Sequence, residues 1–424
     1  MDEEVLVYLY TLFWTWDNTL TKIIHEAMLV DDLRTGLDGV ATLKEAGQIE
    51  FCSEYLINSI LALSTIYVLQ SDLCITPTGR VFADEALRLL EVEETKPSLP
   101  FLQGTAILAV YKLSIGETAT ATYLLEKLHL LPSPMEWLAA CPLPNDNTAS
   151  LRAQDTRTAI ACIWGFYCLD AKLGLLLNRQ MVLRKPLLAE RISDGADSHR
   201  RLWLPHPLSS PSCLSYSAEA FVADCAFAEL AREALLQISA NRACLVPDYS
   251  STKDLSYRMI KAKVSMGEMV KGDGHHLPRR MFLFLSYYTT SIRLLEPFVQ
   301  LSFLGFEGGQ TAASLSLANS NAIVSTLWNY RTAFGMRHEY WMLYACQVAA
   351  MAMLVHPQSM CLQGESFVRV CQLLTSIAEK LPMADVGVSV LIRFISLKDI
   401  DIPAEARQLL NAGRQGEESN YEIH

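Results

Sequence analysis

The sequence lacks the closely spaced cysteine pairs that hold structural zinc. It has eleven cysteines in 424 residues, but no two of them form a Cys-x-x-Cys pair. The nearest two, Cys162 and Cys168, are six positions apart. A zinc site in this chain is therefore not predicted, and neither is any other cofactor. Scattered cysteines with apolar neighbours are typical of buried free thiols in a reducing compartment.

The sequence is also poor in charge and in export signals. Charged residues make up only 19% of it, 51% of the residues are hydrophobic, and the net charge is −11. This balance predicts a large folded core, and an acidic surface disfavours direct contact with DNA phosphates. The acidic start, MDEEVLVYLY, lacks the basic region of a signal peptide, and there is no Asn-x-Ser/Thr sequon. A secreted protein is therefore not predicted.

The most membrane-like run is shorter than a membrane-spanning helix. Tyr340–Val355 has sixteen residues and contains Gln347, whereas a span needs roughly twenty apolar residues. We therefore predict a buried core helix at this position and no membrane partner.

Motifs that carry catalysis in helical proteins are incomplete. His25-Glu26 lacks the second histidine, four residues after the first, that completes a zinc-protease helix. Asp31-Asp32 begins like the aspartate motif of terpene cyclases, but Thr35 stands where the third aspartate is needed. We predict that the two aspartates lie in a loop or a cap, that the chain has no catalytic residues, and that it is not an enzyme.

Apolar residues recur at helical spacing along almost the whole chain. The fold is therefore predicted to be all-α, a large multi-helix bundle of antiparallel helical hairpins in two packed halves. The predicted helices are Tyr55–Leu69, Arg80–Val92, Leu99–Ile115, Glu117–Leu131, Asp155–Leu177, Ala218–Ser239, Asp254–Lys271, Pro278–Phe303, Thr311–Phe334, Glu339–His356, Phe367–Leu381 and Met383–Ser396.

Proline, serine and glycine mark the predicted boundaries. Residues 193–217 contain several prolines and serines and are predicted to be a linker loop. This loop separates an N-terminal half, residues 1–192, from a C-terminal helical half, residues 218–412. Residues 413–424 are polar and are predicted to form a flexible tail. Gly116 is predicted to end the preceding helix as a left-handed cap.

One carboxylate interrupts a long aromatic and aliphatic helix. Asp170 lies within the segment RTAIACIWGFYCLDAKLGLLLNRQMVLRKP, residues Arg157–Pro186. A buried, unpaired charge is costly, so we expect a hydrogen bond or an ion pair, with Lys172 or Arg179 within reach. We interpret Asp170 as structural, and contact with a ligand inside the bundle is the alternative.

Four apolar stretches follow one another in a set order. They are YLINSILALSTIYV (Tyr55–Val68), Ala83–Leu90 together with LPFLQGTAILAVYKLSIG (Leu99–Gly116), the helix around Asp170, and FLFLSYYTTSIRLLEPFV (Phe282–Val299). In this order they resemble the middle homology region, the regulatory region, of fungal zinc-cluster transcription factors. Gln103 and Gly116 stand at recurring positions of the second stretch, and Asn319–Leu354 and Leu373–Phe394 are similar to the family's usual finish.

The sequence departs from the family pattern in several places. The six-cysteine cluster that normally precedes this region is missing from the chain. Ile160 and Ala161 stand where the family often has a basic pair. Asn178 opens the break that is often Gly-Arg-Pro in the family, and Glu296 replaces an arginine before Pro297. These departures leave the predicted fold intact and bear on electrostatic contacts and on any ligand role.

The resemblance implies a regulatory domain of a fungal transcription factor in the nucleus. Such a domain would control RNA polymerase II transcription by binding a small effector or the transcription machinery, and a homodimer is a candidate assembly. DNA contact and zinc are then expected only in a zinc-cluster segment outside this chain. The alternatives are a helical protein-interaction scaffold and, with weaker support, a terpene-cyclase-like enzyme. No ligand-binding residue is predicted.

Overall fold

The protein is an all-α multi-helix bundle, as its sequence predicts. The computed structural model describes residues 3–37, 50–69, 78–95, 98–130, 149–186, 202–208, 212–269, 277–301, 304–337, 339–355 and 360–411. Its helices are α1 (Glu3–Trp16), α2 (Glu26–Leu37), α3 (Glu54–Ser64), α4 (Gly79–Glu93), α5 (Leu99–Ser114), α6 (Thr118–Leu130), α7 (Ala149–Leu176), α8 (Ser217–Ala243), α9 (Tyr249–Met269), α10 (Pro278–Leu295), α11 (Ala312–Phe334), α12 (Tyr340–Leu354), α13 (Met360–Ala378), α14 (Met383–Lys398) and α15 (404–411).

Short elements join these helices. One-turn 3₁₀ helices cover Leu20–Lys22, Thr65–Tyr67 and Glu296–Phe298. Strands β1 (Leu202–Trp203) and β2 (Cys213–Leu214) form a small antiparallel hairpin in which Leu202 pairs with Leu214 and Trp203 with Cys213. The hairpin lies inside the segment predicted to be a linker loop.

Local sequence signals explain where several helices start and stop. The Ser53 and Ser98 side chains cap α3 and α5 by accepting a backbone N–H bond three residues further on, at 3.2 Å in both cases. Gly116 follows α5 with a φ of +85°, which confirms the predicted left-handed cap. Helix α10 ends at Leu295, earlier than predicted, because Pro297 cannot continue the α-helical hydrogen bonds.

Three helices in the described part of the chain, α1, α2 and α15, are not among those that the periodicity argument predicts. Helix α1 is rich in aromatic and branched residues on all sides, so no single apolar stripe stands out. The prediction that Asp31 and Asp32 lie in a loop or cap is wrong, because both lie inside α2. The Asp32 carboxylate accepts a hydrogen bond from the backbone N–H of Phe51 at 2.8 Å.

The helices fall into two compact units. Unit 1 comprises Met1–Ala171 and Met181–Cys225. Within it, α3 packs against α1, α4 and α5, and α5 packs against α6. Nearly every side chain of α5 is buried, which explains why its sequence is apolar on all sides. A Cβ added at Gly104 would lie 2.7 Å from the Tyr55 ring, so this glycine permits the close packing of α5 on α3.

Unit 2 comprises Lys172–Gln180 and Ala226–His424. Its consecutive helices α9 to α14 pack against one another, and α10 also packs against α12. Helix α12 is buried along most of its length, which confirms the predicted core helix at this position. Phe282 of α10 and Tyr330 of α11 meet edge to face with ring centres 5.9 Å apart.

In the part of the chain that the structure describes, a segment of α7 is long and apolar enough to cross a membrane. This segment, Arg157–Leu176, has 20 residues, and 89% of its most apolar 18-residue window is buried inside the structure. Burial of this extent is typical of the core helix of a folded bundle. From the sequence, Tyr340–Val355 is instead predicted to be the most membrane-like run, because Asp170 and Lys172 interrupt the apolar run in α7.

Candidate functional site

Residues 17–23, which join α1 to α2, form a turn that is mostly buried within unit 1 although it carries two charged side chains. We call these residues the buried turn. Burying backbone and charge together is costly unless partners satisfy both. The partners come from several different helices of unit 1, so these helices meet at the turn.

Asp17 organises the start of the buried turn. Its carboxylate accepts hydrogen bonds from the backbone N–H groups of Thr19 at 2.9 Å, of Leu20, and of Thr21 at 3.3 Å. The Tyr67 hydroxyl donates to the other carboxylate oxygen at 2.6 Å. Burial raises the pKa of Asp17 above its usual value, and these hydrogen bonds oppose the rise only in part. The carboxylate therefore acts as a cap for the 3₁₀ helix.

Gln103 and Gly165 hold the end of the buried turn. The buried Gln103 amide nitrogen donates to the carbonyl oxygen of Ile23 at 2.6 Å. Gly165 lets α7 approach the turn, because a Cβ added there would lie 2.2 Å from the carbonyl oxygen of Lys22. Tyr67, Gln103 and Gly165 belong to the first three stretches that carry the family resemblance. Unit 1 therefore brings these stretches together at one place.

The buried turn also carries an ion pair with α8. The Lys22 ammonium group donates a hydrogen bond to Asp224 Oδ2, and 202 positions separate the two residues in sequence. Burial on its own lowers the pKa of Lys22, but the charge and the hydrogen bond of Asp224 outweigh this effect and raise it overall. Lys22 is therefore held in its charged form.

Two thiols lie in the same cluster as the ion pair. Cys168 of α7 and Cys225 of α8 have their sulfur atoms 3.8 Å apart. Cys168 is buried and Cys225 is half-buried. The hydrogen bond with Cys225, burial and the charge of Asp224 raise the pKa of Cys168, and the positive charge of Lys22 opposes them. The ion pair and the thiol pair thus influence one another electrostatically.

Asp170 is buried and hydrogen-bonded, as its sequence context predicts. One carboxylate oxygen accepts from the backbone N–H groups of Val182 at 2.7 Å and of Leu183 at 2.8 Å. The contact holds the chain after α7 against the helix, within unit 1. Lys172 belongs to unit 2, where its ammonium nitrogen lies 5.9 Å from the centre of the Trp341 ring. The structure therefore gives Asp170 a clear structural role.

Two departures from the family pattern meet in unit 2. Asn178 has a left-handed backbone, with φ of +53°, and its side-chain oxygen accepts from Arg242 and, at 3.1 Å, from Arg293. The Glu296 carboxylate lies 3.2 Å from Arg293 and 3.4 Å from Arg242. We call these four residues the arginine cluster. The glutamate that replaces an arginine thus contacts the same two guanidinium groups as Asn178.

The geometry does not support metal or diphosphate chemistry in the described part of the chain. Among those residues, no three His, Cys, Asp or Glu side chains are arranged to hold a metal ion. The Asp32 carboxylate accepts a hydrogen bond from the backbone N–H of Phe51, which is a structural contact. The described residues therefore lack the carboxylate arrangement that a terpene cyclase uses to hold magnesium.

Sequence reasoning misses Lys22 and Asp224 because they lie 202 positions apart, and it misses Asp17 because Tyr67, which buries and hydrogen-bonds its carboxylate, lies 50 positions away. One local signal points to the region. Gly165 stands inside a long apolar helix, where glycine costs about 1 kcal/mol relative to alanine, and such a glycine often marks a close approach of two backbones. The cysteines are free, as predicted, in the part of the chain that the structure describes. Not all of them are buried, since Cys244 is exposed and Cys52, Cys213 and Cys225 are half-buried.

Comparison with known proteins adds one distant relative. The chain is 26% identical, over 235 residues, to the notoamide biosynthesis transcriptional activator notL' of Aspergillus versicolor. The matched region covers 53% of this chain, and the chain spans about a third, 34%, of the length of that relative. No family model matches the sequence. The similarity supports a relationship to fungal transcription factors.

Proposed function

We propose that this chain is a regulatory domain of a fungal transcription factor that acts in the nucleus and controls RNA polymerase II transcription. The observation that carries the proposal is the similarity to a transcriptional activator. The all-α fold and the convergence of three resemblance stretches on the buried turn support it. The domain would act through contacts with a small effector or a protein partner, without catalysis.

The buried turn suggests how such a domain would respond. Tyr67, Gln103, Gly165 and Asp224 reach the turn from four different parts of unit 1. A ligand or partner that favours one arrangement of these helices would shift the population towards it, by as much as its affinities for the two arrangements differ. The turn would then pass the change to all four elements at once.

DNA contact is assigned to another segment or chain. The net charge of −11 would repel the phosphate backbone. A zinc cluster, with its bound zinc, would supply that contact from outside this sequence. The chain would then control the output of a factor whose position on DNA is set elsewhere.

A reporter assay tests the proposal. The chain is placed between a heterologous DNA-binding domain and a strong activation domain in a fungal host, and an inert helical protein of similar size serves as the control insert. We expect this chain to change the reporter output by roughly fivefold or more relative to the control, the range of ordinary allosteric coupling. Equal output from the two inserts, with both fusions folded and equally abundant, would refute the proposal.

Two carboxylate variants sharpen the assay. Asp170→Asn removes the charge that strengthens the hydrogen bonds from Val182 and Leu183, at a cost of about 1–2 kcal/mol. We expect it to alter the effect of the chain on the reporter. Asp401→Asn is the matched control, because that side chain is 99% exposed. If Asp170→Asn measurably lowers the stability of the protein but leaves its effect on the reporter unchanged, the regulatory function does not depend on this part of unit 1.

A second candidate function, a protein-interaction scaffold, is favoured by three exposed leucines. Leu202, Leu204 and Leu214 of the β1–β2 hairpin are 60%, 63% and 40% exposed. Leu202 pairs with Leu214 across the hairpin, and neighbouring exposed apolar side chains are typical of a surface that a protein partner covers. In the same reporter assay, Leu202→Ser with Leu204→Ser abolishes the effect if a protein partner docks on the hairpin. If an effector inside the helical core carries the function, the double variant behaves like the wild type.

A further inference from the structure

We propose that Cys168 and Cys225 form an oxidative modification site, at which a peroxide converts the two thiols into a disulfide within unit 1. The inference rests on the geometry of the thiol pair and does not depend on the proposed function. The link would join α7, two residues before Asp170, to α8, directly after Asp224. It would therefore fix two helices that contribute to the buried turn.

The positions of the two sulfur atoms favour a bond. They are 3.8 Å apart, and a disulfide bond is about 2.05 Å long, so the atoms must move together by about 1.7 Å. Rotations of the two side chains on their own helices provide movement of this size. The residues are 57 positions apart, so the pairing is a product of the fold and not of local sequence.

The environments of the two thiols give them different roles. Cys225 is half-buried and thus more accessible to a small peroxide than Cys168, which is buried. Cys225 is therefore the thiol that reacts first, and Cys168 is the thiol that resolves the product.

The chemistry balances with hydrogen peroxide as the oxidant. The Cys225 sulfur gives up its proton and attacks one peroxide oxygen, the O–O bond breaks, and the departing hydroxide takes up that proton as water, so that Cys225 becomes a sulfenic acid. The Cys168 sulfur then attacks the Cys225 sulfur, the S–O bond breaks, and the departing hydroxide takes up the Cys168 proton as water. In total, two thiols and one hydrogen peroxide give one disulfide and two water molecules, and the peroxide is reduced.

Peptide mapping of the full chain tests the proposal. The folded protein is treated with hydrogen peroxide, remaining thiols are alkylated in denaturant, and the chain is digested with trypsin without reductant. We expect residues 158–172 to be linked to residues 202–232, with a mass two hydrogen atoms below the sum of the two peptides. A reductant should separate them. A disulfide that closes so long a loop should also raise the unfolding temperature, and reduction should reverse the rise.

Each of these two peptides contains a second cysteine, which supplies a matched control. Cys162→Ser and Cys213→Ser should leave the linked peptide in place, whereas Cys168→Ser and Cys225→Ser should abolish it. Fragmentation of the linked wild-type peptide assigns the two sulfurs even if a variant fails to fold. Alkylated Cys168 beside a sulfinic acid at Cys225, or a link that runs through Cys162 or Cys213, would overturn the proposal.

Discussion

Two charge clusters, one in each unit, make the same kind of contact at very different exposure. At the buried turn, the side chains of Lys22 and of its α8 partner Asp224 are 15% and 4% exposed, whereas Arg242 and Glu296 of the arginine cluster are 38% and 55% exposed. Removing one partner of a buried pair leaves an uncompensated charge and costs about 3–5 kcal/mol. An exposed pair contributes about 0–1 kcal/mol. Exposure, more than contact distance, therefore decides which cluster the fold depends on.

The largest expected effect comes from breaking the buried pair. Asp224→Ala leaves the Lys22 charge without its partner and should lower the free energy of unfolding by about 3–5 kcal/mol. Urea denaturation followed by circular dichroism measures the change. The double variant Lys22→Met with Asp224→Leu should recover most of the loss, because no buried charge is left. A loss below about 1 kcal/mol for Asp224→Ala would contradict this account.

The same glycine substitution in each unit gives the next test. Gly165→Ala drives a Cβ to within 2.2 Å of the Lys22 carbonyl oxygen and should destabilise the protein by about 1–3 kcal/mol or more. Gly267→Ala in α9 meets only the Phe284 ring, at 3.8 Å, and should stabilise the helix by about 0.5–1 kcal/mol. Both are read from urea denaturation. Shifts of the same sign would mean that α7 does not press on the buried turn.

Alkaline pH provides a smaller, reversible way to weaken the buried pair. The folded pKa of Lys22 lies above its ordinary value, so the pair stabilises the fold fully below the unfolded pKa of about 10.4 and less as pH rises towards the folded pKa. The stability of the wild type, relative to Lys22→Met with Asp224→Leu, should therefore fall by at most about 1.4 kcal/mol per pH unit above this point. Urea titrations of both proteins at several alkaline pH values measure it. A constant difference would show that the charge of Lys22 adds no stability.

The smallest effect is expected in the arginine cluster. Arg242→Ala removes a contact with Asn178 and one with Glu296, but both ends are accessible to water and Arg293 remains beside them. We expect a loss within about 1 kcal/mol that shrinks further in high salt. Urea denaturation at low and high salt checks this. A loss as large as that of Asp224→Ala would remove the distinction between the two clusters.

Local features of the chain were predictable and distant pairings were not. Helical spacing predicts α5 to within one residue at its end, and Gly116 adopts the predicted cap because a left-handed turn favours glycine. Asp170 stands out because a carboxylate in an apolar helix requires a partner. The backbone N–H groups that donate to its carboxylate lie twelve and thirteen positions away. The residue types at those positions do not indicate the contact.

The buried turn shows the limit more clearly. Asp17 and Lys22 lie next to an unpredicted helix, and Asp224 lies 202 positions from Lys22, so neither periodicity nor a short motif connects them. Cys168 and Cys225 are likewise brought together only by the packing of α7 and α8. The sequence does contain Gly165 inside a helix, where glycine lowers helix stability relative to alanine.

The Asp170 contact depends on the side chain at position 170 but not on the side chains at positions 182 and 183. Any amino acid except proline offers a backbone N–H at positions 182 and 183, so mutations there leave the contact in place. A mutation at position 170 removes it. Selection on this contact would therefore act on the residue at position 170, whereas the side chains at positions 182 and 183 could change without losing it.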